Sequence, residues 1–158
     1  MKNALILFAV ALPLLILNQL AFKGSSGVLD FIILTIPFIG LNIFLKKTHS
    51  QFIKKEVFKK VFKSCLVTGF FYAIWMGTYQ FIIMNYIDSE WAQELINQTE
   101  QNVKNLFPQE ADEALLLSTK LYTSPVYWVF TQIIFNSFFF SIIGLTLGFQ
   151  FKSKAPQQ

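Results

Sequence analysis

The sequence predicts an all-α fold: a four-helix transmembrane bundle with an extracytoplasmic helical hairpin between helices 3 and 4, forming a single integral membrane domain over residues 1–158. Three observations predict it. Hydrophobic residues make up 54% of the chain and charged residues 14%, about half the roughly 25% charged share of a soluble domain. Nineteen phenylalanines are more than one small soluble core can hide, whereas lipid-facing helices expose them at no cost. Four apolar stretches, 4–22, 28–45, 64–87 and 126–149, are long enough to cross a hydrocarbon core about 30 Å thick at about 1.5 Å per residue.

The first stretch, Ala4 to Phe22, is interrupted only by Asn18 and Gln19 near its end. Lys2 ahead of it also suits a signal peptide, but Leu20-Ala21-Phe22 makes a poor small-residue cleavage site, so the stretch is read as a span. Lys23 to Gly27 is a Gly/Ser turn. The second stretch, Val28 to Leu45, carries Asp30 within a turn of its start, where a carboxylate reaches the interface, and Pro37 at its middle. A kink near Pro37 is expected, with neighbouring groups satisfying the freed carbonyl. The third and fourth stretches, Ser64 to Ile87 and Val126 to Phe149, span with some tilt. Trp91, Trp128, Tyr86, Tyr122 and Tyr127 fall near predicted helix ends, as an interfacial aromatic belt requires, while Trp75 falls mid-helix.

Lysine asymmetry orients the chain. Residues 46–63 hold seven Lys and one Glu, whereas residues 88–124 hold seven acids against Lys104 and Lys120. By the positive-inside rule the Lys-rich loop is cytoplasmic. Lys2, Lys152 and Lys154 then place both termini on the same side, with Lys23 the one dissenter. The expected location is the inner, cytoplasmic membrane of a bacterium.

Two segments outside the spans are amphipathic. On a helical wheel, Phe52 to Lys63 places Ile53, Val57, Phe58, Val61 and Phe62 opposite Lys55, Glu56, Lys59, Lys60 and Lys63. Such a helix is expected to lie along the cytoplasmic face and lead into the third span, with Lys55, Lys59, Lys60 and Lys63 against anionic lipid head groups. Residues 88–125 form an acidic outer connector with two helical patches divided near Pro108. Trp91, Leu95, Thr99, Val103 and Leu106 mark the first, and Leu115-Leu116-Leu117 the centre of the second. A helical hairpin is the simplest arrangement.

Small residues recur every fourth position: Gly69, Ala73 and Gly77 in the third span, Ser137 and Ser141, then Gly144 and Gly148, in the fourth. Such stripes let backbones approach, which associates helices where lipid removes the hydrophobic effect between them. They are read as the contact between spans three and four, or as a face for a second copy. Gln132 and Asn136, one turn apart, with Thr78, Tyr79 and Gln80 on the third span, offer a polar patch inside the bundle. Buried amides of this kind serve as glue more often than as a transport path, and the spans carry no mid-membrane charge.

Several function classes lose support. Thirteen Lys and no Arg, with a net charge of only +4, give no arginine clamp for phosphate; nucleic acid is not an expected partner. One cysteine, Cys65, and one histidine, His49, make neither a disulfide nor a zinc cluster. There is no phosphate-cradling glycine loop, no HExxH pair and no buried carboxylate pair, so neither catalytic residue, metal nor cofactor is expected.

Phe58-Lys59-Lys60-Val61-Phe62-Lys63 leading into the third span, Tyr86-Ile87-Asp88 followed by the acidic connector, Ser124-Pro125 before the fourth span, and Ile143-Gly144-Leu145 running to Lys152 and Lys154 form a recognisable layout. It resembles the uncharacterised bacterial membrane proteins of the DUF4199 family, over most of the chain. The resemblance implies a fold and a membrane location, and no activity. The expected role is a non-enzymatic structural or accessory subunit that binds the bilayer, anionic lipid at its cytoplasmic face, and a protein partner or a second copy. The alternative is a small transporter or channel-like oligomer lined by the Gln132 and Asn136 face.

Overall fold

The computed structural model describes residues 1–22, 26–48, 54–106 and 111–154. Six helices follow in order: α1 (Lys2–Phe22), α2 (Gly27–Thr48), α3 (Lys54–Ile82), α4 (Ser89–Leu106), α5 (Ala111–Tyr122) and α6 (Pro125–Lys154), with a π-helical turn, Ile83–Ile87, closing α3. No strand occurs among the described residues. α1, α2, α3 with its π turn, and α6 are each long and apolar enough to cross a membrane, and α4 and α5 form the helical hairpin between the third and fourth of these.

Local chemistry explains the helix ends. Ser26 caps α2, its Oγ accepting the Leu29 N–H at 3.4 Å, which satisfies one of the orphan donors of a first turn. Asp30 in the first turn of α2 and Lys46 and Lys47 in its last oppose the helix dipole favourably. The same acidic-start, basic-end arrangement recurs in α4 with Glu90 and Lys104, and in α5 with Asp112, Glu113 and Lys120. Pro125 opens α6, where a missing N–H costs nothing. Pro13 and Pro37 lie inside α1 and α2, which continue through them.

The chain divides into two compact units: unit 1 is Met1–Ala73 with Phe135–Gln158, and unit 2 is Ile74–Ile134. In unit 1, α1 pairs antiparallel with α2. Leu7 packs onto Gly40, where a methyl group would collide with its Cδ2. The first part of α3 pairs antiparallel with the second part of α6: Phe58 faces Gly148, Phe62 faces Gly144, and Gly69 faces Phe140. Tyr72 joins these pairs, with Phe140 at 5.6 Å and Phe8 of α1 at 6.4 Å between ring centroids. Leu41, Val57, Val61, Phe140 and Leu147 are fully buried at the centre. Val28, Phe31 and Phe138 stay about 70% exposed, a distribution that suits a lipid solvent and not water.

Residues 54–63 lead directly into the third span, as expected. They are the first turns of α3, and Val57 and Val61 are fully buried within unit 1. Phe58 stacks 6.1 Å from Phe62 and lies 5.1 Å from Phe149. The apolar stripe is covered because α6 runs 30 residues, about 45 Å, and presents Gly144 and Gly148 as notches at this level. Phe52, Ile53, His49 and Ser50 lie outside the described residues, as do the side chains of Lys54 and Lys55.

In unit 2, α4 packs on α5 with Ile96 and Ser118 buried. Leu106, Leu116 and Leu117 are exposed. Three consecutive leucines are spread about 100° apart around a helix, so they cannot share one face. Ser118 takes the inward position by returning its hydroxyl to the Leu115 carbonyl at 3.0 Å. The side chain of Trp91, and Pro108, lie outside the described residues.

Gly77 of α3 lies so near α6 that a methyl group on it would come within 2.5 Å of the Val129 Cα. Backbone cannot yield as a side-chain tip can. Gly77→Ala is expected to cost about 1–3 kcal/mol. Gly27→Ala, with nothing within 4 Å, is expected to stay within about 0.5 kcal/mol of the parent. Unfolding in detergent micelles, with both variants beside the parent, measures the difference.

Candidate functional site

Hydrogen-bond donors are few along the long apolar helices, so each polar side chain there has to find a partner within the protein. In unit 2, Gln132 on α6 donates its Nε2–H to Gln80 Oε1 on α3 at 2.9 Å. This amide pair bridges the two antiparallel helices across the Gly77–Val129 contact, each glutamine lying three residues after the contact residue of its own helix. Thr78 does not join it: its hydroxyl donates back to the Ile74 carbonyl at 2.8 Å and faces outward. Asn136, one turn after Gln132, belongs to unit 1, where it is buried.

A second polar junction in unit 2 follows the π turn. Asp88 N–H donates to Ile83 O at 2.7 Å, the five-residue step that defines such a turn. Asn85 within it donates to Phe81 O at 3.0 Å and to Tyr122 O at 3.4 Å. Trp128 Nε1–H donates to the same Tyr122 carbonyl at 2.9 Å. One carbonyl at the end of α5 therefore ties the π turn and the start of α6 to the hairpin. Trp128 is buried, and its ring contacts Tyr122 and Tyr127 at 5.8 and 5.4 Å. Nothing in the residue pattern marks the extra residue of a π turn, so this junction was not legible in the sequence.

In unit 1 a third polar cluster closes the α1–α2 turn. Asn18, buried, donates to Asp30 Oδ1 at 2.8 Å and accepts the Ser26 N–H at 3.3 Å. Asp30 itself is exposed. Asn18 and Asp30 flank the Gly/Ser turn at similar distances, a spacing that could have signalled their pairing.

The small-residue stripes resolve unequally. Gly144 and Gly148 receive Phe62 and Phe58, with the Cys65 Cβ also 3.2 Å from a methyl group placed on Gly144. Gly69 receives Phe140, and Gly77 receives the Val129 backbone. Ala73 is fully buried. Ser141 donates to the Ser137 carbonyl of its own helix at 2.6 Å. The glycines therefore do not face one another; each accepts a larger group from the opposite helix.

The lysines Lys59, Lys60 and Lys63 are exposed on the outer face of α3. Lys60 pairs with Glu56, one turn back, at 2.5 Å. On the hairpin, Lys104 pairs with Glu100, and the bond from that carboxylate holds the Lys104 ammonium above its ordinary pKa. Among the described residues no group of three or more His, Cys, Asp or Glu is placed to hold a metal ion.

The amide pair carries a quantitative expectation. Gln80→Leu and Gln132→Leu, each stranding its partner, should destabilise the protein by about 0.5–2 kcal/mol. The double variant should cost less than the sum, because neither amide is then left unpaired. A double-mutant cycle of unfolding in detergent reads this coupling; strict additivity means the two amides do not act on each other.

The family described as a protein of unknown function, DUF4199, matches residues 2–153. No curated protein and no solved structure matches the chain.

Proposed function

The chain belongs to the DUF4199 family, and from that premise we propose that it is a non-enzymatic, multi-pass protein of a bacterial inner membrane, with both termini in the cytoplasm, serving as a structural or accessory subunit. In this reading the α4–α5 hairpin projects on the outer side and binds a protein partner. The observation that carries it is the hairpin surface. α5 leaves Leu116 and Leu117 65% and 57% exposed, and Leu106 at the end of α4 is 71% exposed, although neither helix is among the four apolar enough to span. Exposed apolar side chains amid acidic neighbours such as Asp112 and Glu113 suit an interface with an apolar centre and a charged rim.

The Gln80–Gln132 bond supports glue over a transport path, since Gln132 spends its Nε2–H and Gln80 its Oε1 on the other helix. Gln132→Leu with Asn136→Leu bears on the channel-like alternative: assembly with unchanged flux removes it.

Two measurements test the proposal. On a Cys65→Ser background, single cysteines at Asn3, Asn102 and Ser153 should give labelling from outside only at Asn102; labelling at either terminal site overturns the orientation. A photo-crosslinking residue at Leu117 should trap one defined protein in cells, and the same residue at Leu145 on α6 should trap lipid only. If Leu117 gives no protein adduct, the hairpin is a plain connector.

A further inference from the structure

The surface of unit 1 changes character at one end. Along α2 the exposed residues pass from Ile43 to Lys46, along α3 from Val67 to Lys63, and along α6 from Phe149 to Lys152. The antiparallel contacts Phe58–Gly148 and Phe62–Gly144 place Lys59 and Lys63 of α3 at the same end of that helix pair as Lys152 of α6. Among the described residues of α3 and α6 there is one carboxylate, Glu56, and it lies at this end.

That carboxylate is not shared evenly. Glu56 pairs with Lys60, so this turn of α3 carries a neutralised couple next to Lys59 and Lys63. These two stand one helical turn apart on the exposed face. Like charges at that spacing oppose the helix, and an anion lying between them removes the opposition. Lys63 lies one turn before Val67, where the exposed apolar surface of α3 begins, the placement in which lysine extends its ammonium to the head-group layer. With no arginine in the chain, the match is to a point negative charge and not to a planar bidentate acceptor.

We infer that this end of unit 1 is a docking surface for anionic phospholipid head groups, with Lys59 and Lys63 as its principal contacts and Lys60 set aside by Glu56. The inference rests on the membrane reading above and narrows the expected lysine contacts to Lys59 and Lys63, because Glu56 engages Lys60.

The purified full chain in neutral detergent, titrated separately with dioleoyl phosphatidylglycerol and dioleoyl phosphatidylcholine and followed by native mass spectrometry, tests it. Phosphatidylglycerol should bind about tenfold or more tightly, each contacting lysine contributing about fivefold. Lys59→Gln with Lys63→Gln should abolish the preference, Lys59→Arg with Lys63→Arg should keep it, and Lys60→Gln should change it by less than about twofold. Equal binding of the two lipids by the parent, an unchanged preference in the Lys59/Lys63 glutamine variant, or an equal loss in Lys60→Gln each overturns the assignment. Alkaline carbonate extraction of the parent separates the two levels. Release from membranes defeats the membrane reading itself, whereas retention without a lipid preference defeats only the docking surface.

Discussion

Close approach of α3 and α6 is the constraint on which the rest of the structure depends. In lipid no hydrophobic effect draws two apolar helices together, so association relies on packing contact and on the few hydrogen bonds that close backbones permit. Phe58 and Phe62 of α3 enter the notches at Gly148 and Gly144, and Phe140 of α6 enters the one at Gly69. Large groups point both ways across the pair, so neither helix can slide along the other without withdrawing a ring. The same approach at Gly77 in unit 2 brings the two backbones near enough for Gln80 and Gln132 to meet.

Polar groups follow from that approach and do not compete with it. Along the long helices hydroxyls return to their own helix, as Thr78 and Ser141 do, or amides pair across, as Gln132 does. At helix ends the pattern changes to junctions in which one backbone carbonyl serves several donors. Tyr122 O, accepting from Asn85 and Trp128, is the clearest case. The π turn supplies the geometry, since its extra residue carries Asn85 back toward the end of α5. Asn85 and Trp128 thus tie the base of the hairpin to the π turn and to the start of α6, while Leu116 and Leu117 stay exposed.

The lysines illustrate how one sequence pattern serves two ends. The amphipathic wheel over residues 54–63 gives a lysine face and an apolar face whatever covers the latter. Protein covers it here: Val57 and Val61 are sealed within unit 1, and only the lysine face meets the surroundings. Burying the apolar face fixes the rotation of α3 about its axis, which in turn directs Lys59 and Lys63 outward.

By itself the sequence determined the number of long apolar helices, their approximate limits, the inserted hairpin and the positions of the small residues, because hydrophobic length, helical period and glycine spacing are local properties of a chain. It also singled out Gln132, whose polarity stands out in an apolar run. Tertiary structure decided what each of these meets. That Gly69 takes Phe140 while Gly148 takes Phe58, that Gln132 meets Gln80, that Asn18 reaches Asp30, and that Ser118 turns inward while Leu116 and Leu117 face out depends on the register and rotation of one helix against another. Residue spacing within a single helix carries no record of these, because the same stripe can pack in several registers that differ only in which rings and backbones come into contact.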